Sequence, residues 1–329
     1  MKKFCYFLLV SVLGYFSCSS PKYQVFEGFA QGTTFRIVYQ STEMYNDTLV
    51  KMLQYFDKTL SLYQDNSLIS RINRNDTAVV LNELFIEFFE KSRFVFEKSD
   101  GYFDITVAPL VETWGFGTKE KINSDPASID SLKTFVGMDK IRLEDGRLIK
   151  SDERIRLDGN AIAQGQSVDY LAKYLEAVRV ENYLIEIGGE VRAKGVNEKG
   201  IFWRIGIDKP IEGTDAQNRK IQTILQLKNK SLATSGNYRK FHLVNGIKYS
   251  HSINPKTGFP SQDVLLSASV IADECSIADA FATACMVMGL EKAKLLIDKN
   301  KEIEAYLVYS DQGGLKVFMS KGFVNYLVE

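Results

Sequence analysis

Apolar positions along this chain change period several times, and each change marks an element. Between Phe26 and Gln40 they read as a strand pair interrupted by Gln31-Gly32-Thr33-Thr34. After an Asn46-Asp47 cap they shift to helical spacing at Leu49, Met52, Leu53, Phe56 and Leu60. Residues 62–73 form a polar loop leading into a short helix; in it Tyr63 is the aromatic best placed to face a ligand, its plainer role being a half-buried loop ring. A strongly apolar helix from Asn82 to Ser99 stops at Asp100-Gly101. Tyr102 to Gly117 then mixes aromatics, a strand-like trio and paired glycines, which suits a wall against a flat ligand or ordinary packing equally well. Residues 119–131 are polar and carry Ser, Asp and Pro, the marks of a surface excursion.

In the second half a strand at Arg154–Leu157 turns through Asp158-Gly159 into a helix that continues to about Ala177. Such a corner presents backbone N–H groups and a positive helix end, suited to phosphate, although a tight structural bend needs the same residues. It matches neither a Walker loop nor a dinucleotide fingerprint. Tyr183 to Gly195 is a buried strand, a Gly188-Gly189 break and a second strand. Trp203–Pro210 and Thr223–Leu227 alternate as antiparallel strands do. Ser231 to Arg239 leads into a hairpin around Asn245-Gly246, a type I′ turn signal. His251, one of two histidines, follows at the start of the Pro/Gly-punctuated loop His251–Pro260, either a solvated hairpin exit or a catalytic loop. After a strand at Leu265–Ala272, the helix Cys275–Gly289 is nearly all apolar apart from Asp279 and Thr283, which share a face at i, i+4. A carboxylate there needs a partner: loop N–H groups, or a hard cation such as Mg2+. Ala305–Tyr309 and Gly314–Met319 make a closing hairpin.

At 329 residues the chain is long enough for one large two-lobed domain or two intimate ones, and its 41 basic and 41 acidic residues give no reason to expect a nucleic-acid partner. Residues 1–17 read as a signal peptide of the lipoprotein type, with a charged start and an apolar run short for a membrane span. Cys18, before Ser19-Ser20-Pro21, is the expected lipidation site, with Tyr15 bulkier than a lipobox usually has. Residues 18–329 are expected to form a single two-lobed domain with a net charge of about −2. Cys275 and Cys285 on one helix would stand about 15 Å apart, too far for a disulfide. Late hairpins without a Gly-rich dinucleotide loop place the fold in the α+β class: mainly antiparallel sheet with packed helices.

Six of these stretches, in this order, resemble the FAD:protein FMN transferases, the ApbE-like flavin transferases of bacterial envelopes. They are Gly101–Leu110, Asp158–Asp169, Ile187–Glu190, Ala233–Arg239, His251–Pro260, and Ala278-Asp279-Ala280 with Thr283. The resemblance spans nearly the whole mature chain and implies two lobes around a cofactor cleft. It further implies Mg2+ on Asp279, Thr283 and the Ala161 carbonyl. FAD would lie against Gln31, Tyr63, Tyr102, Phe103, Asp104, Asp158, Gln164 and Ile253, with His251 catalytic. This sequence departs from the family at Gln164, usually Lys; at Gln166, usually aromatic; at Asn254, usually Asp; and at Ala282, where related enzymes carry a second Asp.

The reaction so implied is Mg-dependent: a threonine hydroxyl of a target flavoprotein attacks the FMN phosphorus of FAD, and AMP leaves. Cation charge answers the pyrophosphate's resistance to an oxygen nucleophile, and His251 would take the hydroxyl proton. Implied partners are membrane redox complexes of the Nqr/Rnf type, with the protein lipid-anchored in the bacterial cell envelope and facing the periplasm. The rivals are an FAD pyrophosphatase, giving FMN and AMP, and a non-catalytic flavin-binding lipoprotein. Counting outward from a Val244–Ile247 pair puts Lys240 opposite His251, where its charge would favour the neutral, base-competent imidazole. A Lys240→Met variant is expected to shift the pH–rate profile; a profile that overlays the parent's would contradict this.

Overall fold

The structure, a computed structural model, describes residues 22–116, 125–211, 218, 220–237, 241–244 and 247–328. Eight strands form its main sheet: Lys22–Ala30, Thr33–Ser41, Tyr183–Ile187, Glu190–Lys194, Lys230–Gly236, Leu265–Ala272, Glu304–Asp311 and Gly314–Met319. They lie side by side in chain order, and every neighbouring pair is antiparallel. The α+β architecture expected from the sequence is therefore present, as one meander with excursions inserted. The longest excursion, between Ser41 and Tyr183, carries the helices Asn46–Leu60, Leu68–Asn73, Glu83–Lys98, Ala108–Thr113, Pro126–Lys133 and Ala163–Ala177. The helices Cys275–Met288 and Leu290–Lys299 form another.

Strand alternation sorts side chains onto two faces. Phe35, Ile37 and Tyr39 point toward the helices Asn46–Leu60 and Ala163–Ala177, packing with Leu49, Leu53, Leu171 and Leu175. Val38, between them, faces the other way, into a cluster with Trp203, Leu225 and Leu227 from the hairpin Trp203–Asp208/Ile221–Leu227. Farther along the helical face, Ala268, Val270, Ala305 and Leu307 share a core with the Cys275–Met288 helix and with Phe85, Phe88 and Phe89. That helix is buried nearly all round, as its sequence requires. Ala278, Ala280, Ala282 and Ala284 are buried on both sides of it and let its neighbours approach closely; a larger residue would overpack the contact by about 1–3 kcal/mol.

Some local readings change. The strand expected at Arg154–Leu157 and the strand-like trio after Asp104 reduce to one parallel bridge, Val107 to Arg156. The cause is local: Asp104 accepts bonds from the Thr106 N–H and hydroxyl, and Pro109 starts a helix. The surface excursion contains the helix Pro126–Lys133, started by Pro126 and capped by Asp125 on the Ser128 N–H. Ile129 is its one buried residue, too little to make a periodic pattern. In the hairpin Phe241–Val244/Ile247–Ser250 the register is as counted, Val244 with Ile247 and His242 with Tyr249. Lys240, Asn245, Gly246 and Cys18 lie outside the described residues.

Candidate active site

The Asp158 corner is held from three sides. Asn73, ending the Leu68–Asn73 helix, accepts the Leu157 N–H (2.7 Å) and donates to the Leu157 carbonyl (2.9 Å). The Asp158 N–H reaches the Ile105 carbonyl (2.7 Å), joining the corner to the Tyr102–Asp104 segment. Asp158 in turn accepts the Asn160 N–H (2.8 Å), five residues ahead of the helix Ala163–Ala177. Burial pushes the Asp158 carboxyl up to about 6; the Asn160 N–H opposes the shift and the Glu112 charge adds to it. Tyr63 projects beside it, 74% exposed, its hydroxyl raised by desolvation and by the Asp158 charge. Across the corner, Gln31 donates to the Ser167 hydroxyl (2.8 Å), and the Gln164 amide lies against Gly188. A Cβ on Gly188 (φ +64°) would stand 2.3 Å from the Gln164 amide nitrogen, which accounts for glycine at that turn.

The helices Ala163–Ala177 and Cys275–Met288 meet N-terminus to N-terminus. Their backbones are so close that a Cβ on Gly165 would lie 2.4 Å from the Cys275 carbonyl oxygen. Each caps the other. Asp169 accepts the Cys275 and Ser276 N–H groups, both at 2.9 Å, and the Ser276 hydroxyl at 2.7 Å. Asp279 accepts the Gly165 N–H at 3.1 Å. A cap of this kind stabilises a helix by about 1 kcal/mol. Burial pushes the Asp279 carboxyl up to about 7; the Gly165 N–H opposes this and the Asp169 charge adds to it. Thr283, one turn along, shares a 3.2 Å hydrogen bond with Ser235. With Gly165 N–H turned to Asp279, the Ala161 carbonyl receives no backbone N–H among the described residues. One carboxylate, one hydroxyl and one such carbonyl make an all-oxygen donor set that fits a hard cation retaining several waters. Among the described residues no group of three His, Cys, Asp or Glu stands together as a metal site.

The histidine loop is rigid. Asn254 Oδ1 accepts the Lys256 N–H (2.9 Å), and the Gly258 N–H returns to the Asn254 carbonyl (2.7 Å). This turn is one that Asp would make equally well, so the departure at Asn254 preserves it. Trp114 Nε1 donates to the Gly258 carbonyl (2.8 Å), and the Ser261 hydroxyl donates to the Met286 carbonyl (2.9 Å) at the far end of the Asp279 helix. His251 is half-buried with the Phe116 ring 6.5 Å away. Ile253 packs among Leu110, Trp114, Ile129 and Val136, which leaves its backbone as the part a ligand could touch. Tyr102 is bracketed by Lys256 (4.4 Å to the ring) and Lys292, which also donates to its hydroxyl. Phe103 is fully buried. A cavity of about 330 Å³ opens between this segment and the loop, lined by Phe96, Gly101, Asp104, Val136, Pro255 and Lys256. Burial holds the Asp104 carboxyl up at about 6 against the opposing Thr106 bonds.

The ApbE family model matches residues 31–307, most of the chain. The chain belongs to the ApbE family. A Vibrio cholerae protein named FAD:protein FMN transferase is 31% identical over 330 residues, 97% of each chain. Its namesake from Escherichia coli is 30% identical, covering 92% of this chain and 89% of that one. The solved flavin transferase ApbE from Vibrio cholerae superposes with a TM-score of 0.83 at 30% identity, over 93% of this chain and 100% of that one. The apo flavinyl transferase ApbE of Pseudomonas stutzeri gives 0.81 at 30% identity, over 94% and 98%.

Within this ApbE fold, the residues singled out from sequence fall into two groups joined at Ile105 and Asp158. Gln31, Tyr63, Asp158, Ala161, Gln164, Asp279 and Thr283 belong to the Asp158 corner, the helix Ala163–Ala177 that follows it and the elements bonded to them. Tyr102, Phe103, Asp104, His251 and Ile253 belong to the loop side. Sequence reasoning gave Asp169 and Asn73 no role; a carboxylate between Val168 and Leu171 on an apolar helix face was the available signal for the former. The Asp158 shift has a consequence for stability. The folded protein keeps a proton that the unfolded chain releases near pH 4, so stability falls as pH rises from about 4 to about 6. Above that range the buried charge costs about 3 kcal/mol. Asp158→Asn is expected to be more stable than the parent in urea at pH 8 by up to that amount, with the gap closing toward pH 4. A variant no more stable at pH 8 would contradict the assignment.

Proposed function

We propose that this protein is an FAD:protein FMN transferase, moving FMN from FAD to a threonine hydroxyl of a target flavoprotein. The observation that carries the proposal is similarity along 97% of the chain to a protein of that name. Asp279, Thr283 and the Ala161 carbonyl would hold Mg2+, which when bound would neutralise pyrophosphate charge and so favour attack at phosphorus. The remaining work falls to the chain. The phosphates would meet only those corner N–H groups that Asp158 and Asp279 do not already hold. Tyr63, Tyr102, Asp104, Asp158, Gln31, Gln164 and the backbones of Phe103 and Ile253 would line the FAD site. His251 would accept the threonine proton as the new P–O bond forms and the bond to AMP breaks, AMP carrying away its own phosphate. Gln164 supplies no positive charge where the family usually has Lys, so neutralisation depends more heavily on the cation.

The same proposal extends to placement and partners. Cys18 would carry a lipid that anchors the protein to the bacterial envelope facing the periplasm; no described helix is long and apolar enough to cross a membrane. Targets would be subunits of membrane redox complexes of the Nqr/Rnf type. The test incubates the purified protein with FAD, Mg2+ and such a subunit, then reads flavin fluorescence after denaturing electrophoresis. A fluorescent target band is expected, reduced about 100-fold or more in rate by His251→Ala. FMN and AMP in solution without a band would make the protein a pyrophosphatase; intact FAD would make it a binder.

A further inference from the structure

The helix bearing Asp279 and Thr283 does not cap itself: Glu274, at its N-cap position, makes no side-chain cap bond. The cap comes from Asp169, 106 positions earlier in the chain, whose two oxygens take the first two N–H groups and the Ser276 hydroxyl. Asp169 is fully buried and fixed from behind. Arg192, on the strand Glu190–Lys194, donates to it at 2.7 Å, and Lys91, on the helix Glu83–Lys98, stands 3.7 Å away. Lys91 also donates to the Ser276 hydroxyl at 3.0 Å. Three other elements thus converge on one carboxylate, which has no hydrogen bond to Thr283 or the Ala161 carbonyl.

We infer that Asp169 is a positioning residue for the cation site: it sets the axial and rotational register of the Asp279 helix against the corner that offers the Ala161 carbonyl. The inference rests on the metal assignment made under the proposed function. Two helix N-termini carry like partial charge and repel at such close approach. Asp169 offsets this at one terminus. Asp279 offsets it at the other through Gly165, but an Asp279 engaged with a cation has less charge to share with that N–H. The register then depends on Asp169. A slip of a few tenths of an ångström matters little to a hydrophobic contact and much to oxygen ligands that need near-octahedral geometry.

The test compares Mg2+ affinity by calorimetry, without FAD or acceptor, in the parent and three variants. Asp169→Asn keeps the shape but loses the charge, and is expected to weaken Mg2+ binding about 10-fold or more, the usual loss when a group supporting a metal ligand is removed. Ser276→Ala, which removes one of the three cap bonds, is expected to weaken it by a few-fold and keeps the test usable if Asp169→Asn does not fold. Leu175→Ala, in the core on the same helix as Asp169, is expected to lower the urea midpoint while leaving Mg2+ affinity within about twofold. Parent-like affinity in Asp169→Asn, or in Ser276→Ala where the former is unfolded, would overturn the inference and leave the transferase proposal standing. Equal loss of affinity in Leu175→Ala would overturn it too, by reducing Asp169 to general stability. A parent that binds no Mg2+ removes both this inference and the metal assignment, whereas FMN transfer failing with Mg2+ binding intact removes only the transferase reading.

Discussion

A carboxylate buried where the N-terminal turns of two helices pack side by side is the constraint around which the site is arranged. Asp279 gives up water for one N–H, from Gly165, and its proton affinity rises to the neutral range as a result. Nothing in general folding stability calls for that: a neutral residue would fill the position at lower cost. The rest of the architecture keeps the arrangement in place. The small residues of the Asp279 helix let it lie against the strands, Gly165 lets the second helix approach, and Asp169 returns the cap. The sheet, in which chain order equals spatial order, provides a rigid floor onto which both helices pack.

The histidine side follows a different logic. His251 sits on an irregular segment, yet one tied down by an Asx turn, a tryptophan N–H and a serine bond to the end of the Asp279 helix. A loop fixed in this way holds its backbone about as well as a strand would. Tyr63 behaves differently, standing mostly in solvent beside Asp158, where an arriving ring could cover it.

What could be read from the sequence is what depends on near neighbours. The i, i+4 placement of Asp279 and Thr283, the Asn-Pro and Thr-Gly punctuation after His251, and the strand alternation flanking Gly188-Gly189 are all local, and each marks its element correctly. The register of the Phe241–Ser250 hairpin followed from turn length alone. What escaped depends on distant partners. Asp169 looks like an unexplained charge until Cys275 is brought beside it, and Asn73 like a helix-end residue until it clamps Leu157. Ile105–Val107 has strand composition, but the Asp104–Thr106 turn and Pro109 decide its conformation. Asp279 illustrates both limits: of its two sequence readings, a cation or loop N–H groups, the corner supplies one N–H, from Gly165, and the cation belongs to the proposal.

The central claim is that the helix junction is built to meet a hard cation, and locating one there tests it most directly. Crystals grown at neutral pH and soaked in Mn2+, which shares the oxygen preference of Mg2+, would be examined for anomalous scattering. The account predicts a single strong peak bounded by the Asp279 carboxylate, the Thr283 hydroxyl and the Ala161 carbonyl. An empty junction, or a peak held by other residues in protein that still turns over FAD, would contradict it.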